Sequence, residues 1–408
     1  MIGPRAACAS VLALAIALPA AVGAIPRFAV RSGAACSLCH TNPSGAGLRT
    51  AYGRAVFERQ FLPSPWISEL AGEGAGLHVD PRIGDAVALG ADLRGGYLRA
   101  MPRKGAPGLD SFFLMEANLH VGAELGRHVT LSYTHGAYGS FEAFGLLHFG
   151  LRESPADDAW SGYLKLGRFV PAYGVRLENH STFTREGIGF SATMRDTGLE
   201  AGLAFRGLGL QASHLRGALT DKDPEGTTYL RLEWAGGGAL VRHLAGASLS
   251  YGPRQPAANP AITVMLDPAG GFEETRLGVH LGVAIGRLSY LGEIDRVAVR
   301  ANPGGMPAGG MPAGGGATGR AGTQVRALLS YQELSFVPVQ GIDVQLLHEY
   351  WDPDTALAGG RLQRWGGSVE VYPWEYVELK ALYRRTYAPA SHPLDGTQEV
   401  VALLHLFF

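Results

Sequence analysis

The residues whose types and spacing point most directly to chemistry are Cys36-Ser37-Leu38-Cys39-His40. Two thiols separated by two residues can reach the two vinyl groups of one porphyrin and form thioethers. The adjacent His40 then offers an imidazole to the iron. Cys-x-x-Cys-His is the attachment signature of c-type haem, and histidine is a usual proximal ligand of haem iron. A zinc half-site would need a second ligand pair, and the only other cysteine is Cys8. A thioredoxin-like dithiol would need a βαβ context, which this stretch lacks. The reading is therefore one covalent haem c held by Cys36 and Cys39, with His40 as the proximal iron ligand.

The second axial ligand is less evident. His78 is the nearest candidate, with Met101 and His120 next, and a vacant or water-filled position is the alternative. Arg49 and Arg54 are candidates for pairing with haem propionates, because guanidinium matches carboxylate geometry. Either could equally be an ordinary surface arginine.

These residues need an exported context, and the start of the chain supplies one. Residues 1–24 read as a signal peptide: Arg5 gives the positive n-region, 11–18 the apolar h-region, and Val22-Gly23-Ala24 the small residues at the cleavage position. Cys8 would leave with it. Residues 25–80 then form a small haem segment of helical and irregular structure. Its turn-rich run 41–47 can wrap close to a haem edge. Leu48, Ala51, Tyr52, Ala55 and Val56 recur at helical spacing and predict one apolar helix face. The Pro- and Gly-rich run from Phe61 to about Asp80 reads as a connector. Below about 40 residues a domain rarely folds without a staple, so this segment needs a partner surface.

That partner is the remainder, residues 83–408. Alternation of apolar and charged residues recurs along it, as in Phe113, Met115, Ala117, Leu119 and Val121 against Glu116, Asn118 and His120. Leu277, Val279, Leu281, Val283 and Ile285 repeat the pattern, which predicts half-buried strands. No run reaches the about 18 apolar residues of a membrane helix. The strands are long enough for a tilted bilayer crossing. Aromatics sit near strand ends, at Tyr97, Tyr133, Trp160, Tyr350, Trp351, Trp365, Tyr372 and Trp374, as in interfacial girdles. The last strand alternates apolar residues and ends on Phe408, like the terminal signal of outer-membrane barrels. At about 20 residues per strand and connection, the stretch predicts an all-β transmembrane barrel of ~16 antiparallel strands in the bacterial outer membrane. Residues 298–323, with two Gly-Gly-Met-Pro-Ala-Gly units, read as a long connection. A soluble sandwich would show the same alternation, so the strand lengths, girdles and terminus carry the distinction.

The net charge of −1 gives no electrostatic reason to bind nucleic acid. No Gly-x-Ser-x-Gly, His-Glu-x-x-His or phosphate-cradling loop is present, so no hydrolase or transferase site is expected.

A single Cys-x-x-Cys-His just after an export signal, followed directly by a barrel, resembles the fused cytochrome–porin family of outer-membrane iron oxidation. Only Cys36, Cys39 and His40 carry the resemblance at residue level. It implies that the haem segment folds into the barrel lumen. There it would carry electrons from an extracellular donor such as Fe(II) to a periplasmic c-type cytochrome. The run Leu164-Lys165-Leu166-Gly167-Arg168-Phe169-Val170-Pro171-Ala172-Tyr173-Gly174 resembles a strand-to-loop motif of phosphate-selective porins. Two further functions follow from the same parts: a solute porin with a haem plug or redox gate, and outward export of electrons to an extracellular acceptor.

Overall fold

The computed structural model describes residues 26–33, 35–55, 61–71, 81–84, 86–103, 108–137, 141–150, 160–177, 181–186, 195–216, 226–253, 272–301, 324–390, 392 and 394–408. The expected signal peptide, His78 and the repeat around Met306 and Met311 lie outside the described residues.

A two-residue strand, β1 (Arg82–Ile83), folds back on Ala88 and Val87. The wall then runs through β2 (Val87–Met101), β3 (Leu109–Leu125), β4 (Val129–Gly136), β5 (Phe141–Gly150), β6 (Trp160–Phe169), β7 (Asp196–Phe205), β8 (Leu208–Leu215) and β9 (Thr227–Gly237). It continues through β10 (Val241–Pro253), β11 (Phe272–Ile285), β12 (Leu288–Ala301), β13 (Gln324–Val339), β14 (Ile342–Asp352), β15 (Leu362–Val371), β16 (Val377–Tyr387) and β17 (Gln398–Phe407). Each strand pairs antiparallel with its sequence neighbour, and β17 closes on β2 with Gln398 opposite Met101 and Phe407 opposite Asp92. The sheet counts 17 strands; without β1 the closed wall has 16, the number expected. Closure leaves no row of unpaired backbone groups, which a strand wall in lipid cannot tolerate. No described helix is long and apolar enough to cross a membrane.

The two faces are inverted relative to a soluble sheet. Leu277, Val279 and Leu281 on β11 are about half exposed, while Arg276 and His280 between them are buried. On β3, Leu119 and Val121 point out and His120 points in. The apolar face is the outer one, suited to lipid, and the charged face lines the lumen. Tyr133, Trp160 and Trp365 stand outward as predicted. Trp351 and Tyr372 do not, because both point inward: Trp351 shares the parity of Glu349, and Tyr372 packs on Phe28.

The barrel has a turn end and a loop end. Tight turns such as Gly286-Arg287 and Gln340-Gly341 join strands at the turn end. The longer connections, including 254–271 and 302–323, join them at the other. Short turns face the periplasm in bacterial barrels.

The lumen is not an open channel. Helix α1 (Pro26–Ser32) and the stretch 35–55, with the single-turn helix α2 (Cys36–Cys39), run inside it. The predicted face of Leu48, Ala51, Tyr52, Ala55 and Val56 does not form over its described residues, Val56 lying outside them. Leu48 lies in a bend and is buried, its carbonyl accepting from Thr41 N–H, and the helix begins only at Ala51, with Ala51, Tyr52 and Ala55 exposed. Helix α3 (Pro65–Ala71) follows a segment docked on the turn end. There Ser64 N–H donates to Tyr372 O at 2.8 Å, and Gln340 Nε2 donates to Pro63 O at 2.9 Å. Gly341 is left-handed (φ +87°), and Ser64 occupies the space its side chain would need.

Candidate functional site

Two separate devices fill the lumen, and the Cys-x-x-Cys-His motif lies between them. The first is α1. Arg27 Nε donates to Asp343 Oδ2 at 3.1 Å, and its other nitrogens pair with Glu333 (3.5 Å) and Glu370. Arg31 bonds Asp343 at 3.0 Å and Ser289 Oγ at 3.0 Å, and it also contacts Ser335. Burial works against charge on Arg27, but Glu370, Glu333 and Asp343 outweigh it and hold the guanidinium well above its ordinary value. Val30, fully buried, fills the space over Gly282 on β11.

The second device is made of residues 170–177, which turn inward after β6, and 181–186, with helix α4 (Phe183–Glu186). Pro171 ends the strand, since it has no amide to give the ladder, and Gly174 (φ +55°) turns the chain toward β12. Tyr173 Oη donates to Asp295 Oδ1 at 2.9 Å, and Arg185 pairs with Glu293 at 2.6 Å. Phe183 N–H donates to Glu349, whose carboxylate also accepts from Arg364 at 2.8 Å. Burial and the Asp295 carboxylate push the Tyr173 phenol well above its ordinary range. Around this stretch the lumen is apolar. Phe144, Phe169, Tyr229, Leu329, Trp351 and Leu362 from the wall pack with Val170, Tyr173 and Phe183 in one buried cluster at the loop end. The phosphate-selective-porin resemblance marks 164–174 only as a strand leading into a loop. Its inward course has no local signature beyond Pro171 and Gly174.

Between these devices, α2 places Cys36 and Cys39 one helical turn apart, on the same side. His40 follows as the C-cap, its N–H donating to Cys36 O at 3.0 Å. The turn is braced by Thr50, which donates from N to Cys39 O (3.0 Å) and from Oγ1 to Leu38 O (2.7 Å). The wall grips the same segment: Lys165 Nζ donates to Asn42 Oδ1 at 3.2 Å, and Arg176 Nη1 donates to Gly45 O at 2.6 Å. Lys165 itself is fully buried, paired with Glu200 at 2.5 Å and lying over the Phe169 ring. Cys39 is buried, whereas Cys36 and His40 are half-buried. Burial and the Glu233 carboxylate push the Cys36 thiol up, although Arg231 hydrogen-bonds it and Arg176 is near.

These residues fit a covalent haem. The donor set is two thiols and an imidazole on one turn. Beside it lies a space that a side chain at Gly45 would fill, since a Cβ there would sit 3.6 Å from Cys36 Cβ and 3.7 Å from its sulfur. Cys36, Cys39 and His40 would hold the group.

The other sequence candidates are engaged elsewhere. Arg49 pairs with Asp92 at 3.4 Å and lies over the Phe407 ring, and Arg54 donates to Arg49 O at 2.6 Å. His120 uses both ring nitrogens, one with Thr134 Oγ1 and one with Asp92 Oδ2, each at 2.8 Å. Met101 is the last residue of β2, at the loop end. Among the described residues no group of three metal-ligating side chains converges.

No family model matches the chain, and no curated protein does either. Solved structures do. An anion-selective porin from Comamonas acidovorans superposes with TM-score 0.55 at 9% identity, covering 79% of this chain and 99% of its own. An in-vitro-folded OmpT, an outer membrane protein of Vibrio cholerae, gives TM-score 0.50 at 9% identity, covering 82% and 100%. At such identities the likeness concerns the fold, and the fold of this chain is that of a porin-like outer-membrane β-barrel.

Proposed function

We propose that the chain is an outer-membrane barrel that carries haem c in its lumen and passes electrons between the two sides of the membrane. The observation that carries the reading is the position of Cys36-x-x-Cys39-His40 between two closures of the lumen, one an ion-paired helix and the other an apolar cluster. A haem bound there would supply one-electron cycling of iron. The chain's own residues anchor the attachment turn through Thr50, Lys165 and Arg176, and exclude bulk water at the loop end through Phe169, Tyr173, Phe183 and Trp351. The hydrocarbon core is about 30 Å thick and insulating, so a redox group helps an electron across only from within the barrel. Extracellular Fe(II) is the proposed donor and a periplasmic c-type cytochrome the proposed acceptor.

The test is a reduced-minus-oxidised spectrum of the purified outer-membrane protein, repeated with Fe(II) as reductant. A covalent haem that Fe(II) reduces is the expected result. A chain without covalent haem, or a haem indifferent to Fe(II), overturns the corresponding part.

The porin-like fold favours a second reading, a solute channel with the haem segment as plug or gate. Planar-bilayer conductance separates the two. A steady open pore supports the channel, and an insulating barrel supports the conduit.

A further inference from the structure

The haem reading leaves the second axial position of the iron unassigned, and one buried imidazole in the lumen has a ring nitrogen without a protein partner. His280 on β11 is 4% exposed; its Nδ1 has no hydrogen-bond partner, and its Nε2 faces only the Glu233 carboxylate, beyond close hydrogen-bond distance. Its Nε2 stops 3.4 Å from Glu233 Oε2. Buried polar atoms usually have partners; single atoms on several lumen side chains lack one, but among the described residues His280 is the one side chain on which two buried polar atoms do, which calls for a ligand. The other lumen histidines differ. His120 is held by Thr134 and Asp92, and His405 by Glu378 and Asp92.

The position of His280 relative to the motif is built by three neighbouring strands. Gly246 on β10 lies directly opposite His280 and next to Glu233 on β9. The His280 ring lies across Gly246, where a Cβ would come within 2.5 Å of Cε1 and Nε2, so the ring keeps this course only over glycine. Glu233 pairs with Arg231, and Arg231 hydrogen-bonds Cys36. Two side chains thus separate this imidazole from the first attachment cysteine.

We infer that His280 is the second axial ligand of the haem, giving bis-histidine iron with His40. This rests on the haem reading above. Glu233 would be its positioning residue, holding ring orientation as carboxylates do for metal-bound histidines.

The experiment uses the full chain, expressed with a c-type haem attachment system and purified from outer membranes. Covalent haem content is measured first by pyridine haemochrome, and barrel folding by heat-modifiable gel mobility. Wild type is expected to be six-coordinate and low-spin. His280→Ala should keep full haem content and become high-spin, with added imidazole restoring the low-spin spectrum. His280→Met should bring in the near-infrared methionine-to-iron charge-transfer band, and His120→Ala should leave the spectrum unchanged. If wild type takes up no covalent haem, the haem reading fails and this inference with it. If haem is present and either His280 variant folds yet keeps the wild-type low-spin spectrum, or wild type is itself high-spin, only the axial assignment is overturned.

Discussion

The two ends of the lumen are closed by opposite physical means. At the turn end, α1 is held by charge: Arg27 and Arg31 meet Asp343, Glu333 and Glu370, with serines completing the shell. At the loop end, residues 170–177 and 181–186 are held mainly by an apolar cluster, with Tyr173, Arg185 and Phe183 N–H satisfying buried acceptors beside it. A buried ion pair gains little net stability over a hydrophobic replacement, yet it fixes geometry and is costly to break from one side. An apolar cluster stabilises in proportion to buried area and is tolerant of small shifts. The charged closure therefore specifies where α1 sits, and the apolar one keeps water out. The Cys-x-x-Cys-His motif lies between a positioning device and a seal.

The comparison is easiest to break at the charged end. Arg27→Ala removes the cation shared by Glu333, Asp343 and Glu370, leaving Asp343 to Arg31 and Glu370 to Lys380. That should cost about 3–5 kcal/mol of α1 docking, measured as protease access to the N-terminal segment of the folded barrel. Unchanged protection would mean that α1 is held by Val30 and Phe28 packing instead.

Phe183→Ala is next, removing the aromatic that packs on Trp351 at 5.7 Å. The expected loss is about 3 kcal/mol, read as local hydrogen exchange around α4. Protection of α1 should not change. The conductance of the pair sharpens the contrast: two seals in series predict that each single variant stays nearly insulating in a planar bilayer while the double variant conducts. A single variant that conducts as well as the double would show that only one end closes the lumen.

Tyr173→Phe probes the polar fringe of the apolar seal. It strands the Asp295 carboxylate oxygen that accepts the phenol at 2.9 Å, and should cost about 1–3 kcal/mol in thermal unfolding. The smallest effect is expected outside the lumen altogether. Leu281→Ala on the lipid face should change stability by about 0.5 kcal/mol or less, since no lumen contact is lost. A larger change would mean that this outer position packs against protein rather than lipid.

How much of this was legible beforehand differs by element. The Cys36–His40 turn could be read directly, because it depends only on the spacing of residues three and four apart. The strands were equally legible, because alternation is local, and their number followed from length. Two residues placed in the outer girdle, Trp351 and Tyr372, turned out to face the lumen. An aromatic near a strand end looks the same whichever side it faces, and only parity with Glu349 or contact with Phe28 tells them apart. The Leu48 helix face failed for a related reason: the spacing was helical, but the Leu48 carbonyl accepts from Thr41 in a bend beside the His40–Arg49 bridge, before the helix starts.

By itself the sequence determined that this chain presents two thiols and an imidazole on one turn, and that a long alternating stretch follows it. Both are consequences of short-range spacing. Tertiary structure alone decided that the charged face turns inward, that residues 170–177 and 181–186 enter the lumen, that Arg27 meets Asp343 across a separation of 316 residues, and that His280 lies beside Glu233 with its Nδ1 unpartnered. Those facts depend on closure of the barrel, which brings together strands that no local pattern relates.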